Sequence, residues 1–129
     1  MARRRKIELN IESLDILPRI IANPVDIEQI FFILVQNAVQ ATRTEEPSSL
    51  TISAKVIDKN IELKFCDTCG GISPEHIDHI FEPFFTTKRR GTGLGLCILE
   101  RIVSQYGGKV RVESECGKGT TFYVLLPIE

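Results

Sequence analysis

The sequence predicts an α+β fold: a two-layer sandwich in which helices pack on one face of a mixed, mostly antiparallel sheet. Three observations carry that expectation. Segments of period-two alternation, 50–56 with 61–65 and 110–112 with 120–126, are separated by turn residues and read as hairpins. Two longer segments repeat apolar residues at spacings of three and four, the stripe of a helix packed on one side. The order strand, helix, hairpin, helix, hairpin also departs from the regular alternation of a parallel doubly wound sheet. With no internal repeat, linker or low-complexity stretch, residues 1–129 are expected to form one domain.

Each element has a local cause. Ile7, Leu9 and Ile11 alternate with Glu8 and Asn10, the period of a half-buried strand. A short extended piece over 16–21 carries Pro18 and suits an edge. Asn23-Pro24 reads as a helix start, with Asn as N-cap and Pro at the first helical position. Ile27, Ile30, Phe31, Leu34, Ala38 and Ala41 then make a continuous stripe that should fade near Thr44, before Pro47. Asp58-Lys59-Asn60 turns the first hairpin. "SPEHIDHIF" predicts a short helix with Ser73 as N-cap and Pro74 at its first position. From about Gly93, a second long helix is striped by Leu99, Ile102, Val103 and Tyr106, and Gly107-Gly108 stops it with a left-handed cap. The last hairpin turns at Gly117-Lys118-Gly119.

Bulk properties exclude several function classes. A net charge of −1 gives no global basic field, so no nucleic-acid partner is expected; the positive charge is local, at residues 3–6 and 88–90. The longest apolar run, 30–35, is far too short to span a bilayer, and no signal peptide opens the chain, so a cytoplasmic location is expected. Cys66 and Cys69 form a C-x-x-C without a matching second pair, and neither His76 nor His79 supplies a ligand spacing, so free thiols are the simpler reading than a metal or redox site.

Three elements carry chemistry. In "FEPFFTTKRRGTGLGL" (81–96), Gly91, Gly93 and Gly95 are spaced G-x-G-x-G, with Leu96 where a dinucleotide fingerprint needs glycine and no G-K-[ST] of a Walker loop. What remains is a Cβ-poor segment feeding a helix N-terminus, where backbone N–H groups can face an anion. In "FCDTCGGI", a strand delivers Asp67 into a glycine-containing loop; its carboxylate suits an exocyclic amine such as that of adenine, or it caps its own loop as an Asx-turn. In "FFILVQNAVQAT", Asn37 lies at the margin of the helix stripe. It is either a magnesium-facing amide or a helix-flank amide bonded to backbone or water.

In this order, N-x-A on a helix, D-x-x-x-G after a strand, F-x-P-F, and G-x-G-x-G opening a helix resemble the catalytic and ATP-binding domain of sensor histidine kinases. That domain belongs to the wider Bergerat-type group shared with type II topoisomerase, heat-shock chaperone and mismatch-repair ATPases. The resemblance covers about residues 7–127, including the closing "GGKVRVESECGKGTTFYVLLP", and "FEPFFTTK" with "GTGLGL" favours the histidine kinase branch. It implies a protein-histidine kinase fragment with ATP and Mg²⁺ as cofactors. Asp67 would bind the adenine amine, with Gly71 and Ile72 in the loop beside the base and Thr120 supporting it. Asn37 would coordinate Mg²⁺ through the phosphates. Gly91, Thr92, Gly93, Leu94 and Gly95 would wrap the phosphates, Lys88 with Arg89 or Arg90 would neutralise the terminal one, and Phe81, Phe84 and Phe85 would anchor the lid.

The sequence departs from the family pattern at Ile33, where the wider group places glutamate and histidine kinases usually place a polar residue, at Cys69 in place of the first loop glycine, and at Gln40 in place of a basic residue. A phosphoacceptor context is missing around His76 and His79, which are expected to face solvent. The resemblance therefore implies a domain of a longer sensor protein. Its partners would be a dimerisation and histidine-phosphoacceptor domain upstream and a response regulator downstream, the isolated domain being a monomer. The parent's attachment to a membrane is left open, and "MARRRK" reads as a junction or designed start. An anti-sigma-factor-type serine kinase and a nucleotide-binding scaffold without transfer activity are the alternatives.

Overall fold

The computed structural model describes residues 8–12, 20, 22–41, 48–85, 93–115 and 117–128. Its elements are β1 (Glu8–Glu12), α1 (Pro24–Ala41), β2 (Ser49–Ile57), β3 (Asn60–Asp67), α2 (Pro74–Ile77), α3 (Gly95–Gln105), β4 (Lys109–Glu115) and β5 (Gly119–Pro127). The strands form one sheet in the order β1-β2-β3-β5-β4. All pairs are antiparallel except β1 with β2, which run parallel because α1 carries the chain back between them. The α+β sandwich is thus the observed architecture.

That crossover decides where the ends of the helices lie. β1 and β2 start at the same end of the sheet, with Glu8 opposite Ser49. The last turns of α1 therefore come to the end where β2 begins and where β3 finishes at Asp67. An α-carbon-attached methyl at Gly95 would sit 3.6 Å from Ile33 Cγ2, and Tyr106 at the far end of α3 bonds Asn23 and Asp26 at the start of α1. The two helices are antiparallel neighbours, so the head of α3 shares the Asp67 end.

One apolar core lies between the helices and the sheet. Ile30, Leu34 and Ala38 from α1 and Leu99, Ile102 and Val103 from α3 meet Leu50, Ile52, Leu63, Phe65, Phe122, Val124 and Leu126. Burying one such Leu, Ile or Phe side chain contributes about 1.5–3 kcal/mol, which holds the helices down against the entropy of ordering them. The opposite face of the sheet is mostly polar, with Arg111 over the ring of Tyr123 at 3.9 Å.

Several local expectations change. Leu9 is 51% exposed, so β1 is not the half-buried strand its alternation suggested; a sheet edge gives it fewer neighbours. Asn60 opens β3 and leaves a two-residue turn in which Asp58 takes a left-handed φ of 53°. Ser73 begins α2 without a side-chain cap bond; its hydroxyl pairs with His76 Nδ1 at 3.0 Å instead. That contact half-buries His76, while His79 stays exposed beside Glu82. α3 starts at Gly95, leaving Gly93 outside it with φ 75°. Of the closing pair, only Gly107 (φ 74°) is left-handed; Gly108 is required because a Cβ there would lie 2.0 Å from the Leu125 carbonyl oxygen. Of the edge piece at 16–21 only Ile20 is described, outside any strand and packed against the core; the fading turn near Thr44 and the basic start lie outside the described residues.

Candidate functional site

The inner face of the sheet is laid in cross-strand rows. Ala54, Leu63, Val124 and Val110 form one row, and Ile52, Phe65, Phe122 and Val112 the next. The row at the end is Leu50, Asp67, Thr120 and Ser114. Period-two geometry points all of these toward the helices, so three polar groups finish an otherwise apolar surface. Asp67 and Thr120 are buried at 6% and 5% exposure.

These groups hold one another. Asp67 Oδ1 accepts the Cys69 N–H at 3.0 Å and the Thr120 N–H at 3.2 Å. The first bond is the Asx-turn considered for this residue, so Asp67 does cap its own loop. The second ties that loop to β5. Ser114 Oγ accepts the Ile72 N–H at 2.6 Å, lies 3.1 Å from the Gly119 carbonyl oxygen and 2.9 Å from Thr120 Oγ1. A hydroxyl has one proton. With that of Ser114 donated to the Gly119 carbonyl, the proton of Thr120 goes to Ser114, and Thr120 Oγ1 presents lone pairs beside the Asp67 carboxylate. Two neighbouring acceptors form a receptor for an amino group.

Close backbone approach makes this arrangement glycine-dependent. Gly70 and Gly71 both have positive φ, 95° and 75°, and the Gly70 carbonyl accepts the Gly117 N–H at 2.7 Å. The β4–β5 turn is thereby fastened to the Asp67 loop. Cys69, which replaces an expected glycine, fits because its side chain is buried at 5% exposure.

Asn37 is half-buried on α1, one turn beyond Ile33. Ile33 is a core residue at 8% exposure and faces Gly95, so the position expected to hold a polar group is occupied by packing between α1 and α3. No acidic residue occupies the first turn of α3 and its N-cap residue, Leu94, makes no side-chain cap bond. The first N–H groups of that helix, with the positive end of its dipole, face the Asp67 end of the sheet. Among the described residues no cluster of three or more His, Cys, Asp or Glu could hold a metal. The single neutral oxygen of Asn37 fits only an ion that arrives already bound to phosphates and water.

The aromatic knot divides its tasks. Phe81 meets Phe122 edge-on, with centroids 6.4 Å apart, and Phe85 lies against the rings of His76 and His79 at 5.6 and 5.7 Å. Phe84 does not anchor: it is 74% exposed and left-handed at φ 66°. Its amide donates to the Gly93 carbonyl at 2.8 Å, closing the stem on either side of residues 86–92. Lys88, Arg89, Arg90, Gly91 and Thr92 lie outside the described residues.

The structure thus brings Asp67, Gly71, Ile72 and Thr120 together and places Asn37, Gly93, Leu94 and Gly95 at the same end of the sandwich. Sequence reasoning missed Ser114, whose signal was a serine continuing the inward alternation of Val110 and Val112. It also missed the link of Tyr106 to Asn23 and Asp26, for which a helix stripe gives no signal. The hydrogen bond to Asp26 raises the Tyr106 pKa above its ordinary 10.0, against a smaller lowering by the Asn23 N–H. No helix is long and apolar enough to cross a membrane among the described residues.

Comparison with known proteins agrees with this geometry. The chain is 39% identical over 127 residues to the sensor histidine kinase ZraS of Escherichia coli strain K12, covering 98% of this chain and 27% of that protein. A mycobacterial sensor histidine kinase, MprB, superposes with a TM-score of 0.83 at 25% identity, over 98% of this chain and 85% of that one. Full-length ShkA in complex with AMPPNP superposes with a TM-score of 0.79 at 33% identity, over 95% of this chain and 25% of that one. This chain therefore spans about a quarter of the length of ZraS. The model of the histidine kinase-, DNA gyrase B- and HSP90-like ATPases matches residues 22–129, and the chain belongs to that family.

Proposed function

We propose that this chain is the ATP-binding catalytic domain of a sensor histidine kinase, binding Mg·ATP and donating the γ-phosphoryl group to a histidine on a separate domain. The observation that carries the reading is the polar row Asp67–Thr120–Ser114 at the end of the sheet to which the α3 N-terminus also comes. The acceptor pair Asp67 and Thr120 takes the exocyclic amine of adenine. The α3 amides at Gly95 and the backbone of Gly93 and Leu94 take phosphate oxygens, joined by Gly91, Thr92 and the cation of Lys88. Asn37 holds Mg²⁺ through the phosphates. When bound, Mg²⁺ neutralises charge on the phosphate oxygens.

The phosphoacceptor follows from Ile33. A hydroxyl nucleophile must lose a proton, and a buried isoleucine one turn before Asn37 offers no base for it. A neutral imidazole already presents a lone pair and needs none. This favours histidine over serine or water and argues against vigorous hydrolysis. The partners follow in turn: a dimerisation domain carrying the histidine, elsewhere in a longer protein, and a response regulator that receives the phosphoryl group. Similarity to about a quarter of ZraS supports a multidomain parent, and a cytoplasmic place for the domain is part of this proposal.

Calorimetric titration with ATP, with and without Mg²⁺, tests binding, and Mg²⁺ should tighten it. Transfer is tested by adding the dimerisation domain of a related kinase and measuring acid-labile, base-stable phosphate on it. Binding without transfer to any histidine domain would leave a nucleotide-binding scaffold; acid-stable phosphate on a protein substrate would point to a hydroxyl acceptor.

A further inference from the structure

α1 and α3 meet at two places of different character. Near the nucleotide end, a side-chain methyl of Ile33 faces Gly95. Apolar contact is non-directional, so the packing there fixes the spacing of the two helices more firmly than their fine axial position. At the far end the contact is directional. The Tyr106 hydroxyl donates to Asp26 Oδ2 and accepts the Asn23 N–H at 3.1 Å.

Both sides of that contact are themselves fixed. Asn23 is the cap of α1: its Oδ1 accepts the Val25 N–H at 3.0 Å and its carbonyl accepts the Asp26 N–H at 3.0 Å. Tyr106 ends α3, its N–H bonded to the Val103 carbonyl at 3.1 Å. Immediately afterwards, Gly108 is packed so closely on Leu125 that a Cβ would meet its carbonyl oxygen at 2.0 Å. The hydroxyl therefore joins the first turn of α1 to a helix end locked on the sheet.

We propose that Tyr106 is a positioning residue for the phosphate side of the nucleotide site. Its hydroxyl fixes the axial register of α1 against α3 and thereby the height of Asn37 relative to the α3 N-terminus. A helix rises about 1.5 Å per residue, so an axial shift of α1 by one such rise, with its apolar stripe still on the core, displaces Asn37 by about 1.5 Å. Mg²⁺ demands near-ideal octahedral geometry, and a displacement of that size removes a ligand. Asp67, on the sheet, does not ride on this register. The clamp therefore acts on Mg²⁺ and phosphate and leaves the adenine contacts alone. This inference rests on the Mg·ATP reading above.

Tyr106→Phe keeps the ring and removes the hydroxyl. Titrations with Mg·ATP, with ATP in chelator and with adenosine separate the two halves of the site. The expected result is a loss of about tenfold in Mg·ATP affinity, as for other residues that orient a metal ligand, with the chelated-ATP and adenosine affinities unchanged. Asp26→Ala should reproduce this, while Asp26→Asn, which retains an oxygen acceptor, should restore most of the Mg²⁺ effect. Amide exchange without nucleotide gives an independent readout: Val25 to Ile27 should exchange faster in Tyr106→Phe, with β3 and β5 unaffected. Equal weakening for all three ligands would make Tyr106 merely structural, and an unchanged Mg²⁺ effect would overturn the clamp while leaving the Mg·ATP reading intact. A wild-type chain that binds no Mg·ATP would remove the underlying reading and this inference together.

Discussion

A Cβ added to Gly119 would lie 2.0 Å from the carbonyl oxygen of Asp67. Gly119 also has φ 148°, outside the ordinary range of L residues, so two independent constraints require glycine there. The approach it permits sets the distance between Asp67 and Thr120, and through Thr120 the whole polar row.

Gly119→Ala should push the start of β5 away from β3 and break the bond from Thr120 N–H to Asp67 Oδ1. A cost of about 1–3 kcal/mol in stability is expected from the forced backbone. Denaturant unfolding measures it, and adenosine binding should weaken in parallel. A fully stable variant with wild-type adenosine affinity would show that the row tolerates rearrangement.

Asp67 has a structural role and a proposed binding role, which two substitutions separate. Asp67→Asn keeps an oxygen for the Cys69 and Thr120 amides but removes the charge. ATP affinity should fall about 10- to 100-fold, since a hydrogen bond to a charged group contributes roughly 1.5–3 kcal/mol, with stability little changed. Asp67→Ala should lose both affinity and stability, because it strands buried N–H groups. Calorimetry with paired thermal melts reads both effects, and an unchanged dissociation constant in the asparagine variant rules out the adenine role.

The hydrogen-bonded stem between Phe84 and Gly93 depends on glycine at position 93. A Cβ there would sit 2.3 Å from the carbonyl carbon of Phe84, and its φ of 75° is strained for alanine. Gly93→Ala should therefore open the Phe84–Gly93 hydrogen bond. ATP affinity should fall by about tenfold or more while adenosine, which lacks phosphates, binds as before. The ratio of the two dissociation constants is the measurement, and a parallel loss for both ligands would deny the stem a phosphate-specific role.

Tyr106 gives an alkaline signature. Its pKa is raised above 10.0, chiefly because the neutral hydroxyl donates to Asp26. The folded state thus holds the proton more tightly than the unfolded state, and stability falls as pH rises beyond 10.0 through the folded pKa. Below that value the contribution is fully present. Urea midpoints of the wild type should decline more steeply above about pH 10 than those of Tyr106→Phe. Coincident profiles would mean the hydroxyl is not clamped in solution.

The elements that the sequence predicted well are those with local causes. Asn23 does cap α1, the hairpins turn near the expected residues and Gly107 does end α3, because capping, alternation and positive φ are properties of a few adjacent residues. The element over 95–105 and the strands needed no knowledge of their neighbours. The family boxes likewise lie within short segments, so Asp67, Gly71, Asn37 and Thr120 could be named as candidates from their order alone.

What only the tertiary structure decided involves residues far apart in the chain. The parallel pairing of β1 with β2 depends on where α1 returns the chain, and it is this return that brings Asn37 to the Asp67 end. Ile33, a departure from the family pattern, gained its packing role only from Gly95 opposite it. Ser114 gained its role from Ile72, 42 residues away, and Tyr106 from Asp26, 80 residues away. Periodicity reports which face a residue occupies. It contains no information about which distant group that face will meet, because that choice is made by the packing of whole elements on a shared core.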